Sequence, residues 1–476
     1  MDVEGRHRRY KVKTCLVSGK FKVLHTGHLR LFHAAAELGD RLIVAIDGSG
    51  VSSDELELRR QLISNLGLVD ETQVFQGNVV ELIRSLRPDI VLKGLEFSRL
   101  DNPEEEVLRS YGGKLLFSSG TSLNDHLAPT GSTSPLQHAL DFMSRRGISS
   151  SSLRSLVENF SKVRVIVVGD LIVDQYHQCK ALGMSQEYPN VVLNPIDSKM
   201  FLGGAAIVAA HCKSLGADTT FVSVVGSDGP AVWAISELEE IGVNFHPIFE
   251  ETRKTTLKER YRVGSQMMMR LNHFSHDLLA IQTEREIEQL LNGLAPNFDV
   301  VIFSDFSYGL LSRDLAGRLV QIARKGGLLT IADSQSSSQI GNLSKFAGCD
   351  VITPTEREAR LETKDETSGL VILAEKLRTT VGANSVLLKL GEAGLFLHGI
   401  DENSGTHIEN DEVPALNPNP VETSGAGDSL LATVALSLGS GSDLYAGAYL
   451  GSVAAALHIS HEGNIPISQA QLLESI

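Results

Sequence analysis

The stretch KTCLVSGKFKVLHTGHLRLFHAAAELGDRLIVAID, residues 13–47, decides the fold of the first part of the chain. Residues 13–21 and 41–47 carry continuous apolar runs, and a helical segment opens between them at His28. Continuous runs of Val, Ile and Leu are typical of strands that are covered on both faces of a parallel sheet. The stretch therefore predicts a strand, a crossover helix and a second parallel strand.

Strand and helix patterns continue to alternate after residue 47. Residues 73–77, 89–94 and 114–119 predict three more strands, with helical patterns between them. This alternation predicts a Rossmann-like, doubly wound α/β sheet with right-handed crossovers, whose ligands bind at the carboxyl ends of the strands.

A second α/β unit begins at KVRVIVVGDLIVD, residues 162–174, where a basic residue is again followed by a β-branched run and a glycine. Further buried strands are predicted at TTFVSVVG, VVIFSD, LLTIAD, DVITPT and SVLLKLG. Residues 191–201 and 254–270 have shorter alternating patterns, which predict a small antiparallel flap beside the main sheet.

The segment between the two units, residues 124–152, is rich in Ser, Thr, Pro and Gly and has no sustained periodicity. Such composition indicates a domain boundary. We therefore predict a first domain over residues 1–125, a linker over 126–152 and a second domain over 153–476. A short helix is expected within the linker near residues 137–145.

The composition excludes several classes of protein. With 476 residues the chain is too long for a single core. It has no uncharged apolar run of about 18 residues and no signal-peptide segment, so we expect a cytoplasmic enzyme with no membrane partner. Four scattered cysteines form no paired motif, which argues against a zinc site or a disulfide framework. A net charge of −15 argues against a nucleic-acid partner.

Two histidines, His25 and His28, stand at the entrance to the first predicted helix. Alone, such a pair is more often a helix cap and a core residue than a functional site. Here, however, the pair follows a strand, and a helix N-terminus offers unpaired N–H groups and partial positive charge to a triphosphate. Two imidazoles at that entrance can donate to phosphate oxygens, and Gly27 permits close approach of the backbone.

The HxGH pattern of residues 25–28 resembles the cytidylyltransferase-like nucleotidyltransferase superfamily. The resemblance extends through LGDRLIVAI, ELRRQLISNLGLVDE, LRPDIVLKG and SSGTS, and it covers nearly the whole first domain. It implies that a substrate phosphate attacks the α-phosphate of ATP or CTP, that the histidines stabilise that phosphate, and that pyrophosphate leaves. The nucleotide-binding residues that it implies are Phe21, Gly27, Arg59, Lys93, Ser119 and Thr121. For Arg59 and Lys93 the alternative is a solvated surface side chain.

Two departures from that pattern concern carboxylates. The superfamily usually has an acidic residue after the phenylalanine of the first loop, where this chain has Lys22. It also usually has Asn-Ser-Asp after the second strand, where this chain has Asp47-Gly48-Ser49. Because these carboxylates normally lie near the triphosphate or its metal, Mg²⁺ handling and activity of the first domain stay open. The carboxylate of Asp47 would compensate in part for the two missing carboxylates.

Two glycine-rich segments in the second unit predict a phosphoryl-transfer site. FLGGAAIVAAHCKSLGA places Gly203-Gly204 before a small-residue helix, and ETSGAGDSLLATVALSLG places Gly425–Gly427 and Asp428 at a helix start. Backbone N–H groups there form an anion hole, and the carboxylate can accept a hydroxyl proton. Taken singly, glycine pairs make turns and an aspartate caps a helix. Both segments together favour the functional interpretation.

The same segments resemble the ribokinase-like (PfkB) carbohydrate kinases over essentially all of residues 163–476. GDLIVDQY, GMSQEYPNVV, KTTLKERY, MRLNHF, SDFSYG, ITPTEREA and HEGNIPIS are similar to the kinase half of the bifunctional enzymes that make activated heptose. Those enzymes phosphorylate the anomeric hydroxyl of a heptose 7-phosphate and carry an HxGH adenylyltransferase. The familiar fusion has the kinase first, whereas this chain has the transferase first.

The kinase resemblance implies a role for each matching residue. Asp428 is the general base, and the anion hole is formed by Gly425, Ala426 and Gly427. Asp170, Asp174, Gly203 and Gly204 would bind the sugar hydroxyls, and Lys258 and Arg270 would bind the sugar phosphate. The ATP side would be lined by Lys389, Gly391 and Gly394. Glu358 would bind the metal. The chain departs from the kinase pattern at Tyr308, Thr355 and Glu422.

Three functions stay open at this point. The preferred one is a bifunctional sugar-phosphate kinase and sugar-1-phosphate nucleotidyltransferase that uses ATP and Mg²⁺, with CTP as an alternative in the first domain, and that pairs through its flap as a homodimer. The second is a carbohydrate kinase with a degenerate, nucleotide-binding or structural first domain. The third is a non-catalytic regulator that binds a sugar phosphate or a nucleotide.

Overall fold

The computed structural model describes residues 13–21, 26–64, 68–94, 97, 102–118, 135–264, 266–275, 277–335, 341–400 and 408–476. His25, Lys22, Ser119 and Thr121 lie outside these residues. The described chain forms two compact units. One contains the described residues before 119 together with 365–375, and the other contains residues from 135 onward apart from that segment.

The first unit alternates five strands with four helices among its described residues before 119. They are β1 (Thr14–Gly19), α1 (Thr26–Leu38), β2 (Arg41–Asp47), α2 (Ser53–Ser64), β3 (Glu71–Phe75), α3 (Val79–Leu86), β4 (Ile90–Gly94), α4 (Glu104–Arg109) and β5 (Lys114–Ser118). All strands are parallel, in the order β3-β2-β1-β4-β5. The predicted doubly wound sheet is confirmed.

The core of the first unit lies on both faces of this sheet. Alternate residues of β1 point in opposite directions, so Val17 packs in one apolar cluster and Leu16 in the other. Phe32 of α1 covers the first face, and Ile83 of α3 covers the second. Because both faces are covered, the strands need apolar side chains at every position, which explains their continuous runs.

The second unit is larger and contains two sheets. Its strands are β6 (Arg164–Gly169), β7 (Leu171–Met184), β8 (Val191–Gly204), β9 (Asp218–Val225), β10 (Asn244–Phe249), β11 (Thr256–Val263), β12 (Gln266–His273), β13 (Val300–Asp305), β14 (Leu329–Ser334), β15 (Val351–Ile352), β16 (Ser385–Lys389), β17 (Leu395–Ile400) and β18 (Ile408–Val413). Its helices are α5 (Pro135–Arg146), α6 (Ser150–Glu158), α7 (Ala205–Ser214), α8 (Gly229–Ile241), α9 (Ile281–Leu294), α10 (Arg313–Lys325), α11 (Glu356–Thr363), α12 (Leu370–Val381), α13 (Ala426–Gly439), α14 (Leu444–His458) and α15 (Gln469–Glu474); α12 begins within the segment 365–375.

The main sheet of this unit has the order β10-β9-β6-β13-β14-β15-β16-β17-β18. Its strands are parallel from β10 to β16, and β17 and β18 add an antiparallel edge. Helices α7 and α13 pack against each other and are buried over most of their length. Their many alanines let the two helices approach closely at the centre of the core.

The second sheet is the predicted flap, with the order β12-β11-β7-β8. Its outer pairs are antiparallel as predicted, but its central pair, β11 and β7, is parallel. The sequence placed residues 162–174 in one buried strand, and that prediction is wrong at Asp170. There the chain leaves the main sheet after β6 and enters the flap as β7. The Asp170 N–H still donates to the Ser304 carbonyl (3.3 Å), but the next residues pair with β8 and β11. The flap therefore begins beside the carboxyl ends of the main strands.

Helix α5, which the sequence expected near residues 137–145, packs against other elements of the second unit. The guanidinium of Arg146 donates to Asp411 (2.6 Å) and lies 3.4 Å from the centre of the Tyr445 ring. Arg145 donates to the other oxygen of Asp411 at 3.0 Å. These contacts attach the end of the predicted linker to β18 and α14. None of the helices within the described ranges is long and apolar enough to cross a membrane.

Candidate active sites

A cavity of about 160 Å³ lies in the second unit between the flap and the carboxyl ends of the main strands. Six residues predicted from the sequence line it: Asp174, Gly204, Lys258, Arg270, Gly425 and Asp428. They come from the flap strands β7, β8, β11 and β12 and from the turn that opens α13. Ligands of open parallel sheets bind at this edge of the sheet.

The turn before α13 has the geometry of an anion hole. Gly425 is the N-cap with a φ of +81°, a conformation that favours glycine, and α13 begins at Ala426. The first N–H groups of α13 have no carbonyl partner within the helix, and they carry the positive end of its dipole. Asp428 stands in the first turn of the same helix. The turn therefore brings anion-binding donors and a carboxylate to one cavity.

Asp428 is almost fully buried, with 6% of its surface exposed. Burial, followed by the neighbouring Asp333, raises the pKa of its carboxyl to about 7, although Lys389 and Lys258 act to lower it. Gln335 Nε2 donates to Asp428 Oδ1 at 2.9 Å and fixes the carboxylate. A carboxylate with a pKa near neutrality is suited to accept a proton from a hydroxyl group.

Lys389, which the sequence assigned to the ATP side, lies against the other side of the turn. A Cβ on Gly427 would lie 3.3 Å from Lys389 Nζ, and the ammonium donates to both oxygens of Asp333, at 2.9 and 3.0 Å. Burial acts to lower the pKa of Lys389, but Asp333 and Glu358 outweigh it and raise that pKa. The lysine therefore stays charged beside the anion hole.

Asp174 of β7, which the sequence assigned to sugar hydroxyls, lines one wall of the cavity. It makes a buried ion pair with Arg260 of β11, and Asn464 Nδ2 donates to its second oxygen at 3.2 Å. A Cβ on Gly203 would lie 2.4 Å from Asp174 Oδ2, which explains why this position needs glycine. Gly204 has a φ of +59°, and a Cβ there would lie 2.4 Å from a backbone carbonyl. The glycine pair thus makes room for this wall.

Asp170 is not among the residues that line this cavity, and its assignment to sugar hydroxyls stays a prediction. Its carboxylate accepts backbone N–H groups from Phe306 (2.9 Å), Tyr308 (3.3 Å) and Leu310 (3.3 Å). Burial, followed by the nearby Asp305, raises its pKa. Asp170 shapes the loop after β13, which presents Phe306 to the cavity.

Lys258 and Arg270 make one wall of the cavity cationic. Lys258 Nζ lies 5.4 Å from the centre of the Phe306 ring and 5.1 Å from that of Tyr308. Tyr308, which replaces a basic residue of the kinase pattern, therefore supports a lysine that comes from a different strand. Arg260 is neutralised by Asp174, whereas no described residue forms an ion pair with Lys258. This wall suits a substrate phosphate.

Glu358 and Thr355 together cap helix α11. The Thr355 hydroxyl accepts from the Glu358 N–H (3.2 Å), and Glu358 Oε2 accepts from the Thr355 N–H (2.8 Å). Within the described residues no three His, Cys, Asp or Glu side chains converge as a metal site. Glu358 does lie close enough to Asp333 and Lys389 to affect the pKa of both. The predicted metal role of Glu358 therefore stays a prediction.

The other predicted glycines and Glu422 lie outside the lining of the cavity. Gly394 has a φ of +95°, and a Cβ there would lie 2.1 Å from the Val413 carbonyl, so it permits close approach of two chain segments. Gly391 opens a short 3₁₀ turn, and its Cβ would meet nothing within 4 Å. Glu422 accepts from the Tyr176 hydroxyl (2.8 Å) and from the Gly463 N–H (3.0 Å). Glu422 thus joins the flap to the segment before the anion hole.

The described residues of the first unit place three predicted residues, Phe21, His28 and Lys93, near its switch point. β1 lies between β2 and β4, so the connections after β1 and β4 leave on opposite sides, where doubly wound sheets bind ligands. Phe21 follows β1 with a φ of +44°, and its ring meets the His28 ring edge-on, with 5.1 Å between the ring centres. Lys93 lies at the carboxyl end of β4.

Neither Arg59 nor Lys93 is a solvated surface side chain, so that alternative is wrong for both. Arg59 is 6% exposed, donates to the Lys20 carbonyl (3.0 Å) and pairs with Glu55. Lys93 Nζ donates to Asn102 (2.8 Å) and to the buried Glu104 (2.9 Å). Gly27 lies in the first turn of α1.

The carboxylate of Asp47, which the sequence offered as a substitute for the missing acidic residues, is hydrogen-bonded within its own turn. Its Oδ1 accepts from the Ser49 N–H at 2.9 Å, and the Ser49 hydroxyl accepts from the Gly77 N–H at 2.8 Å. Burial tends to raise the pKa of Asp47, but hydrogen bonds from Ser49 outweigh it, so that pKa is lowered. Asp47 therefore stays ionised at the carboxyl end of β2.

Seven of the residues that line the cavity were missed as site residues, and the sequence carried a signal for three of them, Arg260, Asn272 and Asn464. Arg260 and Asn272 alternate with Lys258 and Arg270 on paired strands, so period-two spacing would have placed all four on one face. Asn464 lies in HEGNIPIS, a segment already singled out. Gln335 had no signal, because only the fold brings it to Asp428.

Known protein families match both parts of the chain. The model of the pfkB family carbohydrate kinases matches residues 162–470, and the cytidylyltransferase-like model matches residues 16–155. The kinase match alone covers well over half of the chain.

Curated relatives carry the name bifunctional protein HldE. The protein from Desulfatibacillum aliphaticivorans is 30% identical over 321 residues, which is 66% of this chain and 63% of that protein. The protein from Geobacter sulfurreducens is 29% identical over 332 residues, 68% of this chain and 65% of that protein. The chain thus spans just under two thirds of the length of these relatives.

Solved structures resemble the fold at lower identity. Phosphofructokinase-2 from Escherichia coli matches with a TM-score of 0.55 and 17% identity, over 66% of this chain and 98% of that chain. Ribokinase from Arabidopsis thaliana matches with a TM-score of 0.51 and 17% identity over the same shares. These matches show the ribokinase-like fold of the second unit.

Proposed function

Because the chain belongs to the pfkB family of carbohydrate kinases, we propose that its second unit transfers the γ-phosphoryl group of ATP to the anomeric hydroxyl of a sugar phosphate. The observation that carries this proposal is the cavity in which Asp428 and the Gly425 turn face Lys258, Arg270 and Asp174. It combines an anion hole, a base, a cationic wall and a carboxylate for hydroxyl groups. Heptose 7-phosphate, or a similar sugar phosphate, is the proposed acceptor.

The chemistry follows from this arrangement. Asp174 and Asn464 orient the sugar, and Lys258 and Arg270 hold its phosphate. Asp428 accepts the proton of the attacking hydroxyl while that oxygen forms the new bond to phosphorus and the bond to ADP breaks. The N–H groups at the start of α13 stabilise the charge on the transferring group.

Magnesium is the metal that such transfers use. Mg²⁺ is usually bound by one or two carboxylates together with phosphate oxygens. Asp333 and Glu358 are buried carboxylates that interact with Lys389 near the turn, so their chemistry fits this ion. They would hold it, and its charge would neutralise the phosphates of ATP.

For the first unit we propose nucleotidyl transfer to a sugar 1-phosphate with release of pyrophosphate. The cytidylyltransferase-like match, the switch point between β1 and β4, and the positions of His28 and Lys93 support this assignment. The name bifunctional protein HldE of the curated relatives supports two activities in one chain. Residues 1–125 and 153–476 are the proposed limits of the two activities, in the reverse of the familiar order.

Two assays test this function. ATP consumption with heptose 7-phosphate reports the kinase, and pyrophosphate release with heptose 1-phosphate plus ATP or CTP reports the transferase. We expect both in the presence of Mg²⁺. Asp428→Asn should reduce only the first, by about 10²–10⁴-fold, because it removes the base. His28→Ala should reduce only the second.

The outcomes separate the alternatives. A chain that consumes ATP with the sugar phosphate but releases no pyrophosphate would leave the first unit as a nucleotide-binding or structural domain. Calorimetric binding of the sugar phosphate without either turnover would favour a regulator and refute the proposal. The proposed homodimer is tested by the molar mass in light scattering.

A further inference from the structure

The buried side chain of His458, which the proposed mechanism does not use, contacts the anion-hole turn. His458 is the last residue of α14 and is 3% exposed. Its Nε2 lies 3.0 Å from the Ser424 carbonyl oxygen, and Ser424 directly precedes the N-cap Gly425. Because a carbonyl oxygen only accepts, Nε2 carries the proton in this contact.

This hydrogen bond fixes the orientation of one peptide unit. In a trans peptide the C=O and the following N–H point in opposite directions. When His458 holds the Ser424 carbonyl, the Gly425 N–H is turned to the side away from α14. Ser424 and Gly425 both line the cavity.

Gly425 is closely packed against two neighbouring side chains. A Cβ on Gly425 would lie 2.4 Å from His458 Nε2 and 2.6 Å from Asn464 Oδ1. The imidazole therefore presses directly against the glycine as well as bonding to the residue before it. Glycine is required here for space and also for its φ of +81°.

A second buried histidine supports the first. His211 of α7 packs edge-on against His458, with 5.1 Å between ring centres, and its Nδ1 accepts from the Ile467 N–H at 3.1 Å. Burial lowers the pKa of His211 well below its usual value, and burial also lowers that of His458. Both rings are therefore neutral at pH 7, and His211 holds the His458 ring in place.

We propose that His458 is a positioning residue for phosphoryl transfer, whose Nε2–H holds the Ser424 carbonyl and so aims the Gly425 N–H at the transferring group. This inference rests on the proposed kinase function. A donor that is aimed before the reaction stabilises charge that develops in the transition state, so its loss lowers kcat more than it raises KM.

Three variants test this role. His458→Phe keeps a ring but removes the donor, and His458→Gln keeps an N–H at a similar reach. His461→Phe is the matched control, because His461 follows the same helix but is exposed and does not line the cavity. We expect kcat to fall about 10- to 100-fold in His458→Phe, with KM for both substrates within about twofold. His458→Gln should recover most of kcat, and His461→Phe should match the wild type.

A readout independent of turnover keeps the inference separate from the proposed function. The ¹H–¹⁵N amide resonance of Gly425 should shift in His458→Phe, return towards its original position in His458→Gln and stay unchanged in His461→Phe. An unchanged kcat and resonance in His458→Phe would overturn the inference, as would an equal loss in the Phe and Gln variants. If the wild type turns over no sugar phosphate, the proposed function fails, and the amide resonance alone decides the role of His458.

Discussion

Lys389 Nζ lies 2.9 Å from Asp333 Oδ1, and this buried ion pair packs against Gly427 in the anion-hole turn. The pair affects the pKa of the proposed catalytic carboxylate, because Lys389 lowers the pKa of Asp428 whereas Asp333 raises it. A positive charge is thus held beside the proposed site of phosphoryl transfer.

The kinase should lose activity below neutral pH. Asp428 must be ionised to accept a proton, and its pKa is about 7, so kcat/KM should fall towards tenfold per pH unit below that value and level off above it. Lys389→Met should move this limb to higher pH, because the lysine lowers that pKa. Profiles of both proteins between about pH 5.5 and 8.5 give the comparison, and coincident limbs would contradict it.

Lys389→Met should also unfold more easily. Removal of one partner of a buried ion pair leaves Asp333 uncompensated, which typically costs about 3–5 kcal/mol. Lys389→Met combined with Asp333→Leu should recover part of this loss, since no unpaired charge stays at that position. Urea denaturation measures both free energies of unfolding. A double variant no more stable than the single one would argue against the electrostatic cause.

Asp428→Asn should stabilise the fold at alkaline pH although it inactivates the kinase. The pKa of Asp428 is raised from 3.8 to about 7, so the folded chain binds more protons than the unfolded chain between these values. The free energy of unfolding of the wild type therefore falls as pH rises through this window, by on the order of 4 kcal/mol for this group. Thermal unfolding at about pH 5 and pH 8 should show a larger advantage of the variant at pH 8. An equal advantage at both values would refute the shift.

Gly203→Ala should weaken sugar binding. Its new Cβ would lie 2.4 Å from Asp174 Oδ2, so the carboxylate must move away from Arg260 and Asn464. We expect KM for the sugar phosphate to rise about tenfold while KM for ATP changes little. Gly229→Ala is the control, because a Cβ there meets nothing within 4 Å. Equal rises for both substrates would indicate general distortion.

Lys93→Gln should reduce pyrophosphate release about 10²-fold or more and leave the kinase unchanged, because it removes a cation from the switch point of the first unit. Glu104→Gln is the matched control. It breaks the same ion pair but keeps the ammonium, so it should retain most transferase activity. If both variants lose the activity equally, Lys93 acts through the ion pair and not on phosphate.

The sequence by itself determined the strand–helix alternation, the doubly wound sheet of the first unit and the flap of the second. Continuous apolar runs identify strands buried on both faces wherever they occur, and glycines before a helix identify a close approach or a left-handed turn. These signals are local, so they can be interpreted without knowledge of distant residues. They also singled out Gly204, Gly425 and Asp428, whereas the resemblance to the carbohydrate kinases supplied Asp174, Lys258 and Arg270; the structure brings all six to one cavity.

Only the tertiary structure decided what each polar group near the cavity does. Asp170 and Asp174 are four residues apart in one segment, but Asp170 bonds to the loop after β13 whereas Asp174 faces the cavity with Arg260. Gln335 bonds to Asp428, which is 93 positions away in sequence. His458 bonds to Ser424, which is 34 positions away. Hydrogen bonding and burial depend on such distant neighbours, and local spacing carries no record of them.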